Sequence, residues 1–144
     1  MARSAGRSAF GGDPASYHAV RPGYPDWVYE TLCGLCGLRP GAAVFEVGAG
    51  TGTASERLLA LGARPLLAIE PDPRMAGHLR ERIASSELQV VLGAFEDADL
   101  PSGAFDLGVA ATSFHWVEPA GGQAKALRLL KPGGWWAMVW NVFG

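Results

Sequence analysis

The chain is 144 residues, 49% hydrophobic and 18% charged, which is apolar material for one compact domain and little for a second. Twelve Lys and Arg stand against 14 Asp and Glu, for a net charge of -2. The basic residues are scattered singly, which argues against nucleic acid or an anionic membrane as partner and favours a small molecule. No apolar run approaches the roughly 18 residues of a membrane helix, and Met1 to Asp13 lacks the apolar core of a secretion signal, so the expected location is the cytoplasm.

Residues 1–16 are rich in Ser, Gly, Ala and Arg without periodicity and read as a flexible lead. A helical cap segment spans 17–40. In it Tyr17 to Pro25 carries two prolines and a glycine that forbid regular structure, and Asp26 is the expected cap of a helix with Val28, Leu32 and Leu35 on one face, ended by Gly37 and Pro40. Cys33 and Cys36 have redox-motif spacing, but they lie late in this helix, not at the N-terminus that would activate a thiol. The histidines, His18, His78 and His115, are too far apart in sequence to suggest a metal site.

From Gly41 to Gly144 the pattern becomes a repeated strand, turn and helix. A strand within residues 42–50 leads to a helix from Thr53 to Leu61, with Ala54, Leu58 and Leu61 inward. A strand from Pro65 to Glu70 precedes Asp72 as N-cap and Pro73 at the first helical position, and that helix carries Ala76, Leu79 and Ile83 inward. Leu88 to Gly93 is a third strand opening into the acidic loop Phe95 to Leu100. Asp106 to Thr112 is a fourth, ending at Ser113-Phe114-His115-Trp116. A helix near Gln123 to Leu130 stops at Lys131-Pro132-Gly133-Gly134, and Trp135 to Asn141 is a fifth strand, apolar on both faces. Strands of this kind alternating with helices make an α/β fold: a doubly wound, Rossmann-like parallel sheet with right-handed crossovers. Ligands of such sheets bind at the carboxyl ends of the strands, near the point where strand order reverses.

The chemistry concentrates there. Glu46-Val47-Gly48-Ala49-Gly50-Thr51-Gly52 sets glycines at alternate positions between a strand and a helix, where a ligand can lie on the backbone and helix-terminal N–H groups are available. A glycine needed only for helix packing is the bland alternative. Glu70 closes the next strand, where a carboxylate can accept both hydroxyls of a ribose held over the turn. Glu46 separates two ligand classes, because an acid two residues before the first glycine repels a pyrophosphate and attracts a cation. The spacing also departs from GxGxxG, since the third glycine position is Thr53 or Ser55.

Together VFEVGAGTG, IEPD, the acidic loop before Leu100-Pro101, FDLGVAATSFHW and LLKPGG resemble a class I S-adenosylmethionine-dependent methyltransferase. The resemblance runs from Tyr17 to Gly144. It lies nearest the small-molecule enzymes of the trans-aconitate methyltransferase group, which carry an RPxYP segment, here Arg21-Pro22-Gly23-Tyr24-Pro25, and an HW pair, here His115-Trp116.

The resemblance implies that S-adenosyl-L-methionine is the cofactor. Glu46 and Gly48, Ala49, Gly50, Thr51 and Gly52 face its amino-acid end, and Glu70, with Pro71 beside it, holds the ribose. The adenine contact falls on Glu96 with the Phe95 backbone, since Gly93 is followed by Ala94-Phe95 and not directly by an acid. A solvated acidic loop is the alternative there.

Arg21 and Tyr24 precede the core on a segment that can close over the cofactor. His115 is the candidate to take a proton from, or orient, a small-molecule acceptor such as a carboxylic acid, and Trp116 to wall the sulfonium. Asp72 is assigned wholly to capping its helix. Strand order 3-2-1-4-5 is expected.

The family continues beyond the fifth strand, so the sequence reads as C-terminally truncated, with the fifth strand as an apolar surface for self-association. Two other classes compete: an NAD(P)-binding oxidoreductase, which Glu46 opposes, and a non-catalytic fragment that keeps the fold.

Overall fold

The computed structural model describes residues 24–50, 52–111 and 119–139. The lead at 1–16 and candidate site residues Arg21, Thr51, His115 and Trp116 lie outside them. Five strands, β1 (Val44–Val47), β2 (Leu66–Glu70), β3 (Leu88–Leu92), β4 (Phe105–Ala111) and β5 (Leu130–Val139), form one sheet in the order β3-β2-β1-β4-β5 with every pair parallel. This is the expected 3-2-1-4-5 order. The described helices are α1 (Asp26–Leu35), α2 (Thr53–Ala60), α3 (Pro73–Arg82) and α4 (Pro119–Leu129).

Central position in the sheet explains why β1 and β2 are buried at every residue. On one face α1 and α2 pack Tyr29, Leu32 and Leu58 against Val44, Leu66, Leu107 and Val109, and α3 adds Leu79 against Ala68. On the other face α4 lays Ala126 and Leu129 against a cluster around Phe45, Ile69 and Phe105. The Phe45 ring stacks on Phe95 at 5.8 Å and Trp136 at 5.7 Å, and meets Phe105 edge-on at 5.1 Å. Its neighbour in register on β4 is Gly108, where a Cβ would lie 2.2 Å from the Phe45 ring. This strand glycine is therefore a packing requirement.

Four expectations need correction. Asp26 does not cap α1: Pro25 holds the N-cap position, and Asp26 accepts an ion-pair hydrogen bond from Arg57 at 3.0 Å, joining α1 to α2. Leu35 is exposed, and Tyr29 takes its place on the inward face. The strand β3 is not apolar on both faces. It is an edge, with Gln89 and Leu92 exposed. Residues 131–134 do not stand apart from the fifth strand. Phe105 pairs with Leu130 and Leu107 with Trp135, so this glycine-rich stretch bulges out of the ladder within β5. β5 is the other edge strand of the sheet among the described residues, and its Trp135 and Met138 are exposed.

Candidate cofactor site

The turn between β1 and α2 is glycine-rich because its backbone visits the left-handed region at Gly48, Gly50 and Gly52. Its amides are already engaged. The Ile69 carbonyl accepts from Gly48 N at 2.8 Å and Ala49 N at 3.1 Å, Glu70 Oε1 accepts from Gly50 N at 2.6 Å, and Gly52 N donates to Ala49 O at 3.1 Å. These four amides are spent within the fold, so any N–H groups offered to a ligand come from the helix terminus that follows and not from these turn positions. Gly52 also has a packing role, since a Cβ there would lie 2.5 Å from Leu79 and 2.8 Å from Ile83 on α3. The small residue that GxGxxG places later for helix packing has its counterpart in Gly52.

Behind the turn, Glu46 is buried among residues of the central strands. Ser55, itself fully buried in the first turn of α2, donates its hydroxyl to Glu46 Oε1 at 2.5 Å. Burial pushes the Glu46 carboxyl up from 4.5 to about 7. The Ser55 bond opposes this and the nearby Glu70 charge adds to it. Glu46 is thus about half ionised at neutral pH, and any cation brought to the turn favours its charged form.

Glu70, at the end of β2, uses both carboxylate oxygens to hold backbone: Oε1 takes Gly50 N–H and Oε2 takes Asp72 N–H at 2.9 Å. One side chain therefore ties the glycine turn to the entry of α3, with Pro71 half-buried between its two anchors. Asp72 caps α3 as expected, Oδ1 accepting from Arg74 N at 2.9 Å and Met75 N at 3.4 Å. Its second oxygen, Oδ2, is buried without a hydrogen-bond partner. An orphaned acceptor two residues from Glu70 fits a ligand that brings hydroxyl donors, as a ribose does.

Beyond β3 the chain makes a single turn, with the Ala94 carbonyl accepting from Asp97 N and Ala98 N, both at 3.1 Å. Gly93 N donates to Glu70 O at 2.9 Å, which joins this turn to the ribose candidate. Phe95 and Glu96 separate here: the Phe95 ring is in the core against Phe45, while Glu96 is exposed. Tyr24 lies across the sheet, its hydroxyl 3.4 Å from the Val139 carbonyl of β5 as donor. That places it at the carboxyl end of β5, while its ring packs on the cluster that holds Tyr29. Cys33 is exposed and Cys36 buried, both as free thiols, and no cluster of metal-ligating residues occurs among the described residues.

Two residues escaped the sequence reading, Ser55 and Lys125 of α4, whose ammonium reaches the carbonyls of the turn after β3, and Asp72, assigned there wholly to capping, keeps one oxygen without a partner. Ser55 at the third glycine position was the available signal for the first.

A model of the methyltransferase domain matches residues 45–138. The chain belongs to this family. It is 34% identical over 134 residues, 93% of its length, to uncharacterized methyltransferases of Mycobacterium bovis and Mycobacterium tuberculosis, and covers 52% of each. The chain therefore spans about half the length of these curated relatives. Among solved structures it is similar to phosphoethanolamine N-methyltransferase 1 of Haemonchus contortus, in complex with phosphoethanolamine and S-adenosylhomocysteine. The TM-score is 0.77 at 15% identity, covering 95% of this chain and 31% of that one. A SAM-dependent methyltransferase of Aquifex aeolicus gives 0.69 at 21% identity over 88% of this chain and 71% of that one. At these identities the likeness is one of fold, and the fold is the class I methyltransferase fold that the motifs imply.

Proposed function

We propose that the chain binds S-adenosyl-L-methionine across the carboxyl ends of β1, β2 and β3 and is the cofactor half of a methyltransferase acting on a small molecule. The observation that carries this is the glycine turn, whose Gly48, Ala49, Gly50 and Gly52 amides are spent on Ile69, Ala49 and Glu70 while a buried acid, Glu46, lies behind it. An anionic dinucleotide would find these four amides occupied and an unfavourable field from Glu46, whereas S-adenosylmethionine, with a sulfonium and an ammonium against one carboxylate, is net cationic. Glu46 then favours the amino-acid end. Glu70 and the buried, unpartnered oxygen of Asp72 accept from the ribose, and Glu96 is the adenine candidate, since the nearby carbonyls of Ala94 and Phe95 are already hydrogen-bonded.

When bound, the cofactor supplies an electrophilic methyl group for in-line displacement, so the chain's main task is to hold it in a fixed pose. The acceptor would meet His115 and Trp116 after β4, with Arg21 and Tyr24 closing from the N-terminal side. A carboxylic acid is the acceptor class proposed, on the strength of the RPxYP and HW segments. In that reading His115 takes or orients the acceptor proton. The β5 edge of the described sheet, with Trp135 and Met138 exposed, supports pairing between copies, which sedimentation velocity tests as a dimer that dissociates on dilution. Thermal unfolding with S-adenosylhomocysteine, S-adenosylmethionine and NADH in parallel tests the cofactor class. At about a hundredfold excess over Kd, a ligand adds about 2.7 kcal/mol of stability. A rise in Tm with the two sulfur ligands alone is expected, and a rise with NADH alone would refute the reading.

A further inference from the structure

The turn after β3 is anchored in the core by the Phe95 ring, with Ala98 and Leu100 beside it, and its backbone is held in addition by a side chain of α4. Lys125, on α4, brings its ammonium to three carbonyls of this turn: Phe95 O at 2.6 Å, Glu96 O at 3.3 Å, and Ala98 O in the closest contact of the three. The same ammonium lies 5.2 Å from the centre of the Phe95 ring, which is locked against Phe45. An ammonium has three N–H donors, so one side chain saturates its donors on a single turn of backbone. These bonds are charge-assisted, and Lys125 is half-buried, so they are screened less than a surface contact.

We propose that Lys125 is a positioning residue for the nucleoside end of the cofactor. It sets the Ala94 to Ala98 backbone, and with it the direction of Glu96, at a fixed place relative to Glu70. The inference rests on the functional reading above and extends it to a residue on the helix that follows β4. The turn is fixed at one end by the Gly93 N–H bond to Glu70 O and at the other by Lys125. Loss of the second anchor leaves the ribose acceptors in place while the adenine wall becomes mobile. Because α4 follows the segment proposed to meet the acceptor, this one side chain links the two halves of the site.

The test compares the unsubstituted chain with Lys125→Met and Lys125→Arg, at a temperature where circular dichroism shows all three folded. It reads calorimetric affinity for S-adenosylhomocysteine and for adenosine, and amide hydrogen exchange of residues 94–99 without ligand. Lys125→Met is expected to bind both ligands about tenfold more weakly, by the same factor, with faster exchange at 94–99, because the loss is confined to the shared nucleoside end. Lys125→Arg, which keeps the charge and the donors, is expected to recover most of the affinity. An unsubstituted chain that binds while Lys125→Met stays within twofold of it for both ligands would overturn this inference alone. An unsubstituted chain that is folded and binds neither ligand would overturn the functional reading, and this inference with it.

Discussion

Glu46→Gln separates what the buried acid costs the fold from what it gives the site. In the unfolded chain this carboxyl titrates near 4.5, and in the folded chain near 7. Below the lower value both states are protonated and nothing is gained or lost. Between the two the folded chain keeps a proton that the unfolded chain has released, so this group's contribution to stability falls as pH rises, levelling off above 7. The difference is worth about 3 kcal/mol at its full extent. Glutamine is neutral throughout and fills the same volume, but its amide re-forms the Ser55 contact imperfectly, at a cost of about 1 kcal/mol. The charged neighbour Glu70 and the Tyr29 hydroxyl, whose pKa burial raises to about 12, remain in both variants.

Glu46→Gln is therefore expected to be close to the parent in stability at pH 5 and about 2 kcal/mol more stable at pH 8. Urea unfolding at half-unit steps of pH measures this, and the difference between variants cancels the other carboxylates. The same substitution should weaken S-adenosylhomocysteine binding about tenfold at pH 8, and parent affinity should rise with pH between 6 and 8, since a cationic ammonium selects the ionised acid. A stability difference independent of pH, or a variant that binds as well as the parent at pH 8, would refute the reasoning.

Other substitutions test the remaining joints. Gly52→Ala combines a positive φ with a clash against Leu79 and Ile83 and should cost about 2 to 4 kcal/mol in urea unfolding. Gly108→Ala drives a methyl into the Phe45 ring and should cost about 3 kcal/mol or more, seen as a lower Tm; partial relief by Phe45→Leu would show that the ring is the cause. Glu70→Ala frees the Gly50 and Asp72 amides together, so it should lower stability as well as weaken S-adenosylhomocysteine binding by about 1.5 to 3 kcal/mol. Glu70→Gln, which keeps one acceptor oxygen, should fall between.

The strand order was legible because each connection leaves a local mark: a continuous apolar strand, a turn, then a helical period with Asp72-Pro73 or a glycine at its boundary. The glycine turn and Glu70 were legible for the same reason, as short-range signals at strand ends. What was not legible depends on partners far along the chain. Asp26 resembled a cap until Arg57 claimed its carboxylate, and Leu35 fitted the helical period, yet the buried stripe runs through Tyr29, Leu32 and Cys36 and leaves Leu35 on its exposed flank. The bulge at 131–134 reflects pairing with Phe105 and Leu107, which no local reading of Lys-Pro-Gly-Gly contains. The occupied amides of the glycine turn and the reach of Lys125 are tertiary in the same sense. Sequence marks the strand ends at which we propose the ligand, and the contacts between strands show which turn amides are already bonded.

The central claim is the class of ligand at the glycine turn. Calorimetric titration of the purified chain with S-adenosylhomocysteine, with NADH as the parallel ligand, tests it most directly. Saturable one-to-one binding of S-adenosylhomocysteine with no heat from NADH is the predicted result. Binding of NADH, or a folded chain that takes up neither ligand, would contradict it.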